Sequence, residues 1–130
     1  MSSGKQIIGD PLVINGRTLS LSRAVRAGDM IYLTWQIPFK DGKPMTDGSI
    51  EEQTRNCIEN IRDTLQLADC DLSDIVKTTV WLKERSDFAA FDATYGEYFQ
   101  ADPPARTGLV GEFLADIKIE MECIAYAGKS

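Results

Sequence analysis

The spacing of hydrophobic positions changes several times along the chain, and each change marks an element. Between Ile31 and Gln36 it is two: Ile31, Leu33 and Trp35 share one face, Tyr32, Thr34 and Gln36 the other. That is the period of a strand, here the run 29–38, and Pro38 ends it. "FKDGKPMTDG" follows, a turn-rich connection with two Asp-Gly pairs. From Ser49 the period becomes three to four. Ile50, Thr54, Cys57, Ile58, Ile61, Leu65 and Ala68 make one stripe on a helix of about five turns. Ser49 is its expected N-cap, with Glu51 and Glu52 in the first turn, where the helix dipole favours anions. "DCDLSD" breaks the helix. "IVKTTVWLK" then sets Val76, Thr78, Val80 and Leu82 against Lys77, Thr79, Trp81 and Lys83, a β pattern. Ser86 or Asp87 should cap a second helix running to about Gln100, with Phe88, Phe91, Tyr95 and Phe99 inward. The prolines of "ADPPAR" stop it. "TGLVGEF" and "DIKIEMECIAYA" read as two more strands, antiparallel neighbours through a turn near Leu114–Asp116. The first 28 residues are broken into short stretches, one or two edge strands with Gly/Asn turns.

The order strands, helix, strand, helix, strand, strand predicts a two-layer α/β sandwich of α+β type, a mixed sheet with two helices on one face. The last strand turns Ile117, Ile119, Met121, Cys123 and Ala125 inward. Its other face, with Glu120, Glu122, Ile124 and Tyr126, joins Trp81 in a surface neither polar nor apolar throughout. Such a face commonly packs on a partner subunit. With 130 residues and no repeat or linker, residues 1–130 are expected to form one domain.

Composition narrows the chemistry. A net charge of -6 argues against DNA or RNA as the main partner, since phosphate binding needs a basic footprint. No apolar run approaches the roughly 20 residues that span a bilayer. "MSSGKQIIGD" has no apolar region behind its lysine, so no signal peptide is expected and the default compartment is cytoplasmic, a cytosol or an organelle matrix. Cys57, Cys70 and Cys123 are widely spaced without a CxxC pair, which suggests reduced thiols, and Cys57 and Cys123 fall on apolar faces. There is no histidine. This removes Ser-His and Cys-His nucleophile schemes and the commonest zinc ligand sets. Acid–base chemistry must rest on a carboxylate, a tyrosine, a lysine, a thiol or water. Gly108 and Gly111 make no phosphate loop, and "DGKPMTDG" lacks EF-hand spacing.

Two residues carry the chemical interest. Arg106 opens one strand and Glu120 lies within the next, on the face away from the helices. A guanidinium stays charged in any environment and grips a carboxylate through two parallel hydrogen bonds. A carboxylate within reach of a water can take or give a proton. Together they suit a small anionic substrate that reacts with water, in a pocket that another subunit completes. Pattern alone leaves the plainer roles open: a surface or interface salt bridge for Arg106, a solvated strand charge for Glu120.

The surroundings of these two residues are familiar. "PPARTGLVG…LADIKIEMECIAYA" resembles the C-terminal signature of the Rid family (RidA/YjgF). "GDMIYLTWQIP" and the stretch from Gln53 to Phe99 resemble its preceding segments, so the likeness spans about residues 20 to 127. The resemblance implies a chorismate-mutase-like fold of the bacillary type, a homotrimer with a barrel-like core, and pockets between subunits. It implies hydrolysis of reactive enamines and imines, such as 2-aminoacrylate, to 2-keto acids and ammonia, with no metal or cofactor. The family's carboxylate-binding arginine maps onto Arg106 and its water-handling glutamate onto Glu120. Departures cluster in the pocket walls. The family's Ser-Gly is Thr34-Trp35, its cysteine after the arginine is Gly108 with Thr107 between, its second-helix asparagine is Asp92, and a tyrosine is replaced at Leu21. The resemblance thus implies a divergent enamine/imine deaminase. The alternative is a non-catalytic trimer that binds small carboxylates or regulates a partner. Ribonuclease activity, reported for some relatives, fits poorly with an acidic chain lacking histidine.

Overall fold

The computed structural model describes residues 4–128. Strand β1 (Lys5–Ile8) leads to a small hairpin, β2 (Val13–Ile14) and β3 (Arg17–Thr18), then to β4 (Ala24–Ala27) and β5 (Met30–Leu33). A second small hairpin, β6 (Phe39–Lys40) and β7 (Lys43–Pro44), precedes helix α1 (Ile50–Gln66). Next come β8 (Ile75–Leu82), α2 (Phe88–Tyr98), β9 (Ala105–Val110) and β10 (Ile119–Tyr126). Both small hairpins turn on a pair in the left-handed region, Asn15-Gly16 (φ 52° and 77°) and Asp41-Gly42 (φ 55° and 79°). Two-residue hairpin turns demand that conformation at both central positions, which Asn-Gly and Asp-Gly adopt at least cost.

The main sheet has six strands in the order β1-β4-β5-β10-β8-β9. Only β8 and β9 run parallel; the other pairs are antiparallel. This corrects the expected pairing of the last two strands. β9 does not fold back on β10; the two are separated by β8. The reason is α2. A helix between two strands packs on the sheet face and returns the chain in the same direction, so β8-α2-β9 gives parallel neighbours. β10, with Ile119, Met121, Cys123 and Ala125 buried on one face, takes the centre instead.

Both helices cover one face, and the core lies beneath them. Ile58, Ile61 and Leu65 of α1 and Phe91 of α2 are buried in one cluster with Met121 and Ile119. α1 starts as read: Ser49 and Glu52 form a reciprocal capping box. α2 does not. Asp87 stands at its N-cap position without a side-chain bond, and a 3₁₀ turn, Arg85–Asp87, leads in instead. Phe91, Tyr95 and Phe99 are buried as expected, but Phe88 is half exposed. In β8 the inward alternation holds for Thr78, Val80 and Leu82, whereas Ile75 is buried in place of Val76. A register shift opposite Ile124 and Ala125 moves the pattern by one residue there.

Fully buried Gln53 ties the loops to the helix. Its amide donates to the Asp47 carbonyl at 3.1 Å, and its oxygen accepts from the Lys118 amide at 2.8 Å. That bond fixes the chain immediately before β10. On the opposite side of the sheet, β9 is an edge strand with Leu109 and Val110 about half exposed.

Candidate functional site

Arg106 pairs in register with Thr78, and Thr78 is buried under α2, where its hydroxyl shares a 2.9 Å hydrogen bond with the Tyr95 hydroxyl. Registered residues project to the same face, so Arg106 also points toward α2. Its guanidinium lies 4.7 Å from the Tyr95 ring centre, 5.3 Å from Phe91 and 5.6 Å from Phe88. The rings are the same ones that form the inward stripe of α2. They offer their negative faces to the cation and shield it from water. Asp92, one helical step from Phe88, completes the arrangement with an oxygen 2.8 Å from an Arg106 terminal nitrogen. Burial raises the pKa of Tyr95, although the Thr78 bond and the Arg106 charge pull the other way.

Beside Arg106 lies a cavity of about 190 Å³. Val80, Leu82, Leu109 and Val110 give it apolar walls, and Arg85 stands at its margin with a second cation. Gly108 also lines it, and a Cβ there would meet nothing within 4 Å. The Gly111 amide donates to the Leu82 carbonyl at 3.0 Å. Alternation of the parallel ladder back from that bond directs the Gly108 amide to the open edge. Thr107 points to the other face, where its hydroxyl meets the Lys77 ammonium. It is therefore apart from the Arg106 cavity.

Glu120 is registered with Trp81 and projects from the face opposite Arg106. Its cavity is larger, about 540 Å³, and is shared with Trp35, Ile37, Phe113 and Arg17. An isolated bridge between Gln36 and Met121 draws residues 35–37 alongside β10 and brings the indole to the carboxylate's side. Burial, reinforced by the neighbouring Glu122 carboxylate, raises the pKa of Glu120. Of the remaining candidates, Thr34 follows β5 with its amide donating to the Arg23 carbonyl at 3.1 Å, and Leu21 is half-buried just before β4. Neither lines either cavity.

One chain therefore gathers Arg106, Asp92 and Gly108 on one face, and Glu120 with Trp35 on the other. The pattern did not single out Arg85, because it sits in a short 3₁₀ turn without hydrophobic period. Its signal was its place at the end of β8, where the chain turns into α2. Among the described residues no group of three or more His, Cys, Asp or Glu side chains could hold a metal ion, and no helix is long and apolar enough to cross a membrane.

A family model described as endoribonuclease L-PSP matches residues 17–127. The chain belongs to that family, the Rid or YjgF family. Curated Rid relatives include a RutC family protein of Pyrococcus abyssi, 42% identical over 107 residues, covering 81% of this chain and 84% of that one. They also include the mitochondrial protein MMF1 of Saccharomyces cerevisiae, 34% identical over 108 residues, covering 82% of this chain and 74% of that one. Among solved structures, yeast Mmf1 superposes with a TM-score of 0.85 at 30% identity, over 94% of this chain and 98% of its own. Escherichia coli TdcF with bound serine gives 0.83 at 27% identity, over 96% and 99%.

Proposed function

We propose that this Rid protein hydrolyses imines and enamines of small carboxylic acids, releasing 2-keto acids and ammonia. The observation that carries the reading is Arg106: a cation held on three aromatic rings beside an apolar cavity, on an edge strand open to another chain. In this reading the chains form a homotrimer with a barrel-like sheet core of the chorismate-mutase-like type. The exposed edge of β9 meets the Glu120 face of a neighbour, so that both half-sites border one cleft. The serine bound to TdcF supports a small carboxylate as ligand.

Arg106 grips the substrate carboxylate, with the Gly108 amide as a further donor. Trp35 belongs to the neighbour's wall, beside Glu120. Glu120 holds a water and takes a proton as the water oxygen adds to the imine carbon. The C=N π pair moves to nitrogen, which is protonated. Glu120 then returns its proton to that amine nitrogen, and the C–N bond breaks with its electron pair on nitrogen. Ammonia leaves, and the hydroxyl gives up its proton to Glu120 as the carbonyl forms. An enamine first takes a proton on carbon to become the imine. The raised pKa of Glu120 suits a group that both accepts and returns a proton. The imine carbon is already electrophilic, so positioning supplies most of the catalysis, without metal or cofactor. Buried thiols at Cys57, Cys70 and Cys123, none in a disulfide, support a reducing compartment such as the cytoplasm. Mitochondrial proteins stand among the relatives.

The test is ammonia and keto-acid release from imines generated in situ by an amino-acid oxidase. Wild type should accelerate release, and Arg106→Ala and Glu120→Ala should not. Equal rates in all three across a broad amino-acid panel would sink the reading. The Asp92–Arg106 ion pair favours one second reading, a trimer that binds small carboxylates without turnover or regulates a partner. Arg106-dependent keto-acid binding without turnover would support it.

A further inference from the structure

We propose that Asp92 makes the Arg106 cavity selective for dipolar ligands, in which a carboxylate sits next to a cationic nitrogen, and that the apolar walls take an aliphatic side chain. The inference rests on the reading of Arg106 as a carboxylate anchor and names what else the ligand must carry.

The argument starts from charge. The N–H groups of the guanidinium lie in its plane, so it donates hydrogen bonds only from its edge, and rings at 4.7 to 5.6 Å pack against the group. Asp92 already occupies part of that edge, at 2.8 Å from one terminal nitrogen. Among the described residues it is the only carboxylate paired with Arg106. A bare carboxylate arriving at the remaining edge meets the Arg106–Asp92 ion pair with the Asp92 charge close by to repel it, and only Arg85 at the cavity margin as a further cation. A ligand that also carries an ammonium or iminium brings a cation to Asp92. The four charges then alternate in sign, and each finds an opposite neighbour.

Exposure makes this geometry accessible. Asp92 is 51% exposed and Arg106 25%, so the pair sits at the rim of the cavity with the aspartate outermost. Beyond the pair the walls are Val80, Leu82, Leu109 and Val110, with Gly108 leaving room for a side chain. That combination fits the skeleton of an aliphatic 2-amino acid, or the protonated imine derived from it. It discriminates against the corresponding keto acid, which lacks the nitrogen.

The experiment is calorimetric titration of L-leucine and of 4-methyl-2-oxopentanoate, which share a carbon skeleton and a carboxylate and differ in the cationic nitrogen. Wild type should bind leucine about tenfold or more tightly than the keto acid, the size expected of one charge-assisted hydrogen bond. Asp92→Asn should cancel or reverse that preference by gaining affinity for the keto acid. Asp92→Glu should keep it, which guards against a folding defect at this position. Arg106→Ala should lose both ligands. A preference unchanged in Asp92→Asn, or a wild type that favours the keto acid, overturns the role of Asp92 and leaves Arg106 standing, provided Arg106→Ala has lost binding. Binding that survives Arg106→Ala, or no binding of either ligand to wild type, overturns both readings.

Discussion

Arg106 and Glu120 project from opposite faces of one sheet, with β8 between their strands. No single chain can close both on one small substrate. If they act together, each site takes its arginine from one subunit and its glutamate from the next. Subunit mixing tests this. Arg106→Ala and Glu120→Ala proteins, each inactive alone, are unfolded together at equal concentration and refolded. If the assembly is the proposed cyclic trimer, random mixing should leave about one quarter of the normal number of intact sites. Ammonia release should recover to about that fraction; no recovery would show that the two residues do not share a site.

The raised pKa of Glu120 has a signed consequence for stability. Its carboxyl keeps its proton to higher pH in the folded chain than in the unfolded one. That preference stabilises the fold below the ordinary carboxylate value and is lost as pH rises through the raised value. Glu120→Gln, which cannot ionise, should therefore melt at a higher temperature than wild type at about pH 8. The difference should shrink toward zero near about pH 4, where an unperturbed glutamate is half protonated. A variant less stable than wild type at about pH 8 would mean that the assembly supplies Glu120 with a cation.

Tyr95 has two tasks that substitutions can separate. Its hydroxyl satisfies buried Thr78, and its ring supports Arg106. Tyr95→Phe should cost about 1–3 kcal/mol by stranding the Thr78 hydroxyl. Carboxylate binding should be unchanged, because the ring remains. Tyr95→Leu should weaken binding as well. Urea midpoints at constant m-value measure the first effect, and calorimetric titration the second.

Gly108 sits in extended strand backbone with open space where a Cβ would go. Gly108→Ala should leave stability unchanged or raise it by up to about 1 kcal/mol, through lower entropy of the unfolded chain. It should narrow the cavity. Turnover of a leucine-derived imine should fall relative to an alanine-derived one; an unchanged ratio would remove Gly108 from the substrate wall.

Local elements were legible because their signals are local. The N-cap at Ser49, the stripe from Ile50 to Leu65 and the alternation of β10 all follow from neighbours within a few residues. Strand order was not, because a hairpin between β9 and β10 and a return of β10 to the sheet centre leave the same periodic trace. The cue lay in the run β8-α2-β9, whose helical connection implies parallel strands. For the site, the family signature pointed to Arg106 and Glu120. It could not show that Asp92 would meet Arg106, since that contact depends on how α2 lies across β9. Thr107 looked like a wall of the same pocket, but strand alternation turns it away toward Lys77.

β9 has a hydrogen-bonded neighbour on one side only. Its outer row of amides and carbonyls, the Gly108 amide among them, is available to a ligand or to another chain but is not held in place by the sheet. The anchor of the site is thus mounted on an edge strand of the sheet. If recognition and assembly draw on that same edge, each should strengthen the other: a chain on its own would be a poorer receptor, and a ligand in the cleft would double as glue between subunits.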